Sequence, residues 1–247
     1  MRYSIGVWVI VTMVLLGAGS LLAEPALKEA DALYDSGGVE NYKAAIPLYE
    51  KAVADLGDNY EALWKCARAH RDYGNKIKQQ GVADWEDICA QHGKAGMGYA
   101  ERAIALSPDK VEGYYYYGLS VGIYSDGVSI LTALGEGLKN KTQKSFETAY
   151  KIDKNYNRGG PMLSLGRFWT VLPWPMRDRD EALKYFREYQ TAGFLEGSDE
   201  GKVYMAELLI DIGGKDNEVE ARKLLEAAEQ SSEKYFSDWA KRLLKDL

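Results

Sequence analysis

Cys66-x3-His70 and Cys89-x2-His92 bring together the only two cysteines and the only two histidines of this chain. Each pair sets a thiol and an imidazole about one helical turn apart, a ligand set that zinc accepts. Were the chain exported, its two cysteines would also suit a disulfide. Other reactive groupings are missing from the sequence. There is no G-x-S-x-G, no H-E-x-x-H, no phosphate-binding P-loop and no dinucleotide fingerprint. With both histidines beside cysteines, a Ser-His-Asp triad has few ways to form. Asp84, Glu86 and Asp87 precede an apolar helix and read as helix-start charges rather than an acid–base pair. The sequence therefore points away from an enzyme, and names no cofactor and no metal.

The elements that would position these residues are set by a repeat. Triplets that open on a small residue and step by four and three residues recur at Ala45/Tyr49/Ala52, Gly96/Ala100/Ala103, Thr142/Phe146/Ala149, Ala182/Phe186/Tyr189 and Ala221/Leu225/Ala228. Such spacing places three residues on one helix face. The first members stand 51, 46, 40 and 39 residues apart. Tyr114, Tyr117 and Gly118 follow Pro108 by six, nine and ten residues, and Tyr114 and Tyr117 are expected in the core. This is the punctuation of a tetratricopeptide repeat (TPR), lengthened between or within its helices. Helix starts are expected at Asp58-x-x-Glu61, Asp109-x-x-Glu112 and Asp178-x-x-Glu181, each offering a cap oxygen and a reciprocal carboxylate. The fold class is all-α: a TPR-like α-solenoid of about five antiparallel helix pairs with insertions.

The repeat fixes a register for the Cys/His set. Ala67 should face Gly96, so facing residue numbers sum to about 163. That puts Cys89 near Gly74 and His70 near Gly93. The cysteines then lie roughly 12 Å apart along the helix axis, beyond the ~7 Å that a disulfide spans. An insertion in this unit could shift the register, so structural, disulfide and metal readings stay open.

In such solenoids the first helix of each pair lines the inner wall. The expected wall residues are Glu61, Trp64, Arg68 and Arg71, then Glu112, Tyr115, Leu119 and Gly122. Leu163, Arg167 and Thr170 follow, then Tyr204, Leu208 and Asp211. Arginine forks suit carboxylates and phosphates, and aromatic faces take apolar stems or cations. Trp64, Arg68, Arg71, Tyr115, Arg167 and Tyr204 are the candidate ligand-binding set. The ligand would be a protein partner or an amphipathic small molecule or lipid with an anionic end. The competing reading is structural: Trp64 and Tyr115 as core, Arg68 and Arg71 paired to Asp72 or Glu61. Residues 119–141, rich in glycine and aliphatics, form either a glycine-mediated helix pair or a pocket wall. The Pro173-Trp174-Pro175 turn should split a pair.

Residues 1–23 resemble a signal peptide: Arg2, an apolar Ile5–Leu16 stretch, and Leu21-Leu22-Ala23 before Glu24-Pro25. The alternative is a membrane anchor over residues 5–22, long enough to span a bilayer as a helix. The expected location is periplasmic or secreted, with residues 24–247 as the repeat domain. The chain has 37 acidic and 31 basic residues. This acidic balance argues against nucleic acid and against anionic membrane surfaces. An oligomer is possible through exposed terminal helices.

Two stretches are more specific. Glu61-Ala-Leu-Trp64-Lys-Cys-Ala-Arg68-Ala-His-Arg71-Asp72 resembles a segment of the regulator of microtubule dynamics family. Leu165-Gly166-Arg167-Phe168-Trp169 with Pro173-Trp174-Pro175 and Asp180-Glu-Ala-Leu-Lys-Tyr-Phe is similar to a later stretch of that family. It also resembles the periplasmic T-component proteins of TRAP transporters. The likeness covers about residues 40 to 230. It implies a TPR-like helical protein that binds partners or hydrophobic ligands, including as a transporter auxiliary, without catalysis. The lack of a lipoprotein cysteine departs from the T-component pattern.

Overall fold

Helices follow one another along the chain because apolar side chains recur every three to four residues and glycine, proline or a capping residue interrupts each run. The computed structural model describes residues 25–247; the leader expected over 1–23 lies outside them. The helices are α1 (25–35), α2 (Val39–Leu56), α3 (Tyr60–Gln80), α4 (Trp85–Leu106), α5 (Val111–Gly127), α6 (Ile130–Gly135), α7 (Leu138–Asp153), α8 (Tyr156–Val171), α9 (Arg179–Thr191), α10 (Asp199–Ile212), α11 (Lys215–Glu229) and α12 (Lys234–Lys245). Among the described residues there is no strand, and no helix is long and apolar enough to cross a membrane. The architecture is the expected all-α, TPR-like solenoid.

Two units divide at Leu138/Lys139. In the first, α2, α3, α4 and α5 pack in chain order, and α3 also meets α5. Its core gathers Ala30 of α1, Tyr49 and Ala52 of α2, Leu63 and Cys66 of α3, and Ala103 of α4. In the second, α8 packs on α9, α10 on α11, and α12 on α11 and α10. Its core gathers Met162, Phe186, Leu208, Leu209 and Leu225. Every member of the five repeat triplets is buried.

The α3–α4 register is the expected one. A Cβ on Gly96 would lie 3.2 Å from the Ala67 carbonyl, and one on Gly74 would lie 3.9 Å from Cys89 Cα. The next pair is closer still. A Cβ on Gly93 would stand 2.4 Å from the Tyr124 nitrogen, and one on Gly127 2.2 Å from the Glu86 carbonyl. Glycine thus lets α4 and α5 touch backbone to backbone. The 119–141 segment fits the glycine-mediated reading at Gly127, whereas Gly122 and Gly135 have open space around them. Leu131 and Leu134 on α6 are exposed.

Helix starts differ from expectation at two of three places. Asp178 caps α9, accepting from the Glu181 N–H at 2.9 Å. At α3 the cap is Asn59, whose extended backbone aims Oδ1 at the Ala62 N–H; Asp58 pairs with Arg102 instead. At α5 the helix begins one residue later, and Lys110 caps it without a side-chain bond. Glu112 is then free to accept from the Tyr60 hydroxyl at 2.9 Å, tying α5 to α3. Within α8 the backbone is left-handed from Asn157 to Gly159, so the regular helix runs from Gly160. There Gly159 backs directly on the rings of Tyr189 and Phe194.

Candidate functional site

The candidate residues fall into two groups, one in each unit. Trp64, Arg68, Arg71 and Tyr115 belong to the first; Arg167 and Tyr204 belong to the second.

In the first unit, α1, α3 and α5 supply an aromatic ladder built around Arg68. Its guanidinium lies 3.7 Å from the Tyr34 ring centre and 5.0 Å from that of Trp64. Trp64 in turn stacks on Tyr116 of α5, with ring centres 5.7 Å apart and planes 7° from parallel. Arg68 Nη2 donates to the Tyr49 hydroxyl at 3.3 Å, and its buried Nε–H has no partner among the described residues. Among the described residues no carboxylate stands in ion-pair range of Arg68. The neighbouring acids are committed elsewhere. Asp31 accepts from Tyr49 and from Lys65, both at 2.7 Å. Asp72 accepts from the Tyr34 hydroxyl and from Arg71 Nη1. Burial, then the Asp72 charge, pushes the Tyr34 phenol up, so it stays protonated and donates.

Trp64, Arg68 and Arg71 are half-buried on this face. Tyr115 is buried and meets Tyr116 edge-on at 5.2 Å. Three successive tyrosines, Tyr115 to Tyr117, are buried because α3 and α4 cover α5 on two sides; Tyr114, expected in the core, is only half-buried. Tyr34, Asp31 and Tyr116 were not anticipated. The signal for Tyr34 was an Ala26-x3-Ala30-x3-Tyr34 spacing, which places three residues on one face of a further helix.

In the second unit Arg167, Arg177 and Arg179 are matched by carboxylates. Arg167 lies 4.4 Å from the Tyr204 ring centre and 5.3 Å from that of Trp239, but its Nη1 donates to Glu207 at 2.6 Å. Arg179 grips Asp211 through two bonds of 2.7 and 3.0 Å, and Arg177 reaches the same carboxylate at 3.0 Å. A cavity of about 450 Å³ opens here, lined by Thr170, Val171, Arg177, Glu207, Ile210, Asp211 and Leu243. Trp174 stands 89% exposed in the turn that separates α8 from α9. Two expected wall residues are buried instead. Leu208 is covered because α12 packs on α10, and Thr170 is buried with its hydroxyl turned to the Gly166 carbonyl at 2.8 Å.

The Cys/His set does not assemble as four ligands. Cys89 Sγ turns to the Gly74 carbonyl at 3.4 Å, and both thiols are free and buried. His70 and His92 face one another, Nδ1 to Nδ1, at 2.9 Å. Among the described residues no three such side chains stand together as a metal site.

One solved structure agrees with this architecture. TTC0263, a thermophilic TPR protein of Thermus thermophilus, superposes with a TM-score of 0.60 at 19% identity, covering 90% of this chain and 99% of that one. Yeast Tom70 gives a TM-score of only 0.34 at 15% identity, covering 91% of this chain and 57% of Tom70. No curated protein matches by sequence. The model of the regulator of microtubule dynamics protein 1-3 family matches residues 26–169. That span contains Trp64, Arg68, Arg71 and Arg167, and it is more than half of the chain: the protein belongs to the regulator of microtubule dynamics protein 1-3 family.

Proposed function

We propose that the protein is an exported, non-catalytic binding scaffold whose α1–α3–α5 face holds a partner segment through an anionic group at Arg68. One observation carries this reading: Arg68 is a partly buried cation with aromatic walls and, among the described residues, no carboxylate in ion-pair range. Withdrawing a charge from water costs several kcal/mol. The Tyr34 and Trp64 faces return about 0.5–2 kcal/mol each. An incoming carboxylate or phosphate would supply the rest, and its apolar neighbours would rest on Trp64. Arg71, held by Asp72, borders the site. Arg167 carries its own counter-ion, so it suits a neutral or apolar contact better than an anion. Export rests on the 1–23 leader. A protein partner is favoured because the face spans three helices and presents several separate contacts.

Charged hydrogen bonds contribute about 1.5–3 kcal/mol, so Arg68→Gln should weaken partner binding roughly 10- to 100-fold. Arg167→Gln should change it little. Native mass spectrometry of the purified protein and of both variants, with affinity capture from an exported-protein extract, measures this. Equal retention of partner or adduct by wild type and Arg68→Gln would reject the site. A bound species of a few hundred daltons would replace the protein partner with a small amphipathic acid.

A further inference from the structure

His70 on α3 and His92 on α4 form a contact that the binding face does not use. Their Nδ1 atoms are 2.9 Å apart and their ring centres 5.0 Å apart. His70 is 4% exposed. Tyr99 of α4 stacks on it at 5.6 Å, and Tyr73 of α3 meets His92 edge-on at 4.7 Å. From α2, Glu50 places a carboxylate oxygen 3.3 Å from His70 Nε2, in ion-pair range though without hydrogen-bond geometry. Lys43 of α2 also acts on His92. Cys66 lies one turn before His70 and shares a hydrogen bond with Tyr99, and Arg102 stands near both.

A hydrogen bond between two imidazoles needs one donor and one acceptor. A carboxylate only accepts, so the proton of neutral His70 belongs on Nε2, toward Glu50. His70 Nδ1 is then the acceptor, and His92 donates its Nδ1–H. The order of protonation follows. A first proton can add to the bare Nε2 of half-buried His92, and the Nδ1–H···Nδ1 bond survives. A second proton must land on His70 Nδ1. Two N–H groups would then confront each other at 2.9 Å between two cations.

We propose that this pair is a proton-operated latch of α4 on α3, closed with none or one added proton and opened when the second reaches His70 Nδ1. Burial holds both imidazoles down to about 4, His92 with a further push from His70. In the opened form each would charge near its ordinary value of about 6.5. The opened form therefore binds more protons. Closure is fully favoured above about pH 6.5 and is lost as pH falls from there toward about 4. Because α3 also carries Arg68, opening would loosen the binding face; that consequence depends on the function proposed above, but the latch does not.

Histidine side-chain ¹⁵N NMR on the intact protein reads the latch directly. At neutral pH one ring should be the Nε2–H tautomer and the other Nδ1–H, with His92 charging before His70 on acidification. Amide exchange in α3 and α4, corrected for intrinsic pH effects and referenced to α10 and α11, should then rise by about tenfold per pH unit for each proton taken up on opening. Glu50→Ala, at an exposed position, should scramble the His70 tautomer and carry the exchange rise on to lower pH. The same tautomer on both rings at neutral pH would overturn the proposal. So would full charging of both histidines with no change in α3–α4 exchange, or an unaltered profile in Glu50→Ala.

Discussion

Gly93→Ala should unfold the first unit at markedly lower denaturant than wild type, although it adds a single methyl group. That methyl would sit 2.4 Å from the Tyr124 nitrogen and 2.6 Å from its Cα. Backbone atoms cannot swing aside as a side-chain tip can, so α4 and α5 must separate along their length. Inserting a methylene into a packed core ordinarily costs about 1–3 kcal/mol, and rigid sites cost more. We expect about 3 kcal/mol or above, the upper end of that range. Gly122→Ala on α5 is the control. Nothing lies within 4 Å of its added methyl, and alanine is better than glycine inside a helix by roughly 0.5–1 kcal/mol. The two variants should therefore move the urea midpoint in opposite directions. Equal midpoints would mean that α4 and α5 do not touch as described.

Phe186→Ala should be the most costly truncation in the second unit. The ring is fully buried in the core with Met162, Leu209 and Leu225. It also packs on the bare backbone of Gly166, whose added Cβ would lie 2.9 Å from two ring atoms. Truncation removes the ring and leaves a cavity that a glycine on the facing helix cannot fill. Losses of about 3–5 kcal/mol are usual for buried phenylalanine. Chemical denaturation followed by circular dichroism measures it, and a loss below about 1 kcal/mol would contradict close packing of α8 on α9.

Packing was more legible in the sequence than recognition. Ala45/Tyr49/Ala52 and the four triplets like it are buried because a small residue is what lets two helices cross, and smallness is visible in the letters. The sum rule that set Ala67 against Gly96 held for the same reason. Caps were less legible. Asp58 and Asn59 are both good cap residues, and only the backbone turn decides which of them faces the first N–H groups. The binding face was least legible. Trp64, Arg68 and Arg71 announce themselves, but what makes Arg68 distinctive is where Asp31 and Asp72 spend their acceptors, and that depends on α1. Arg167 looks equivalent in the sequence and differs only through Glu207, forty residues away along the chain.

That difference between Arg68 and Arg167 makes ionic strength a dial on one of them. Dissolved anions can approach a cation that lacks a counter-ion and compete with whatever it holds, and at physiological salt fields fade over about 8 Å. Arg167, already neutralised by Glu207, has little net field for salt to screen. Binding through Arg68 would loosen in brine and tighten on dilution, while contacts beside Arg167 would scarcely notice.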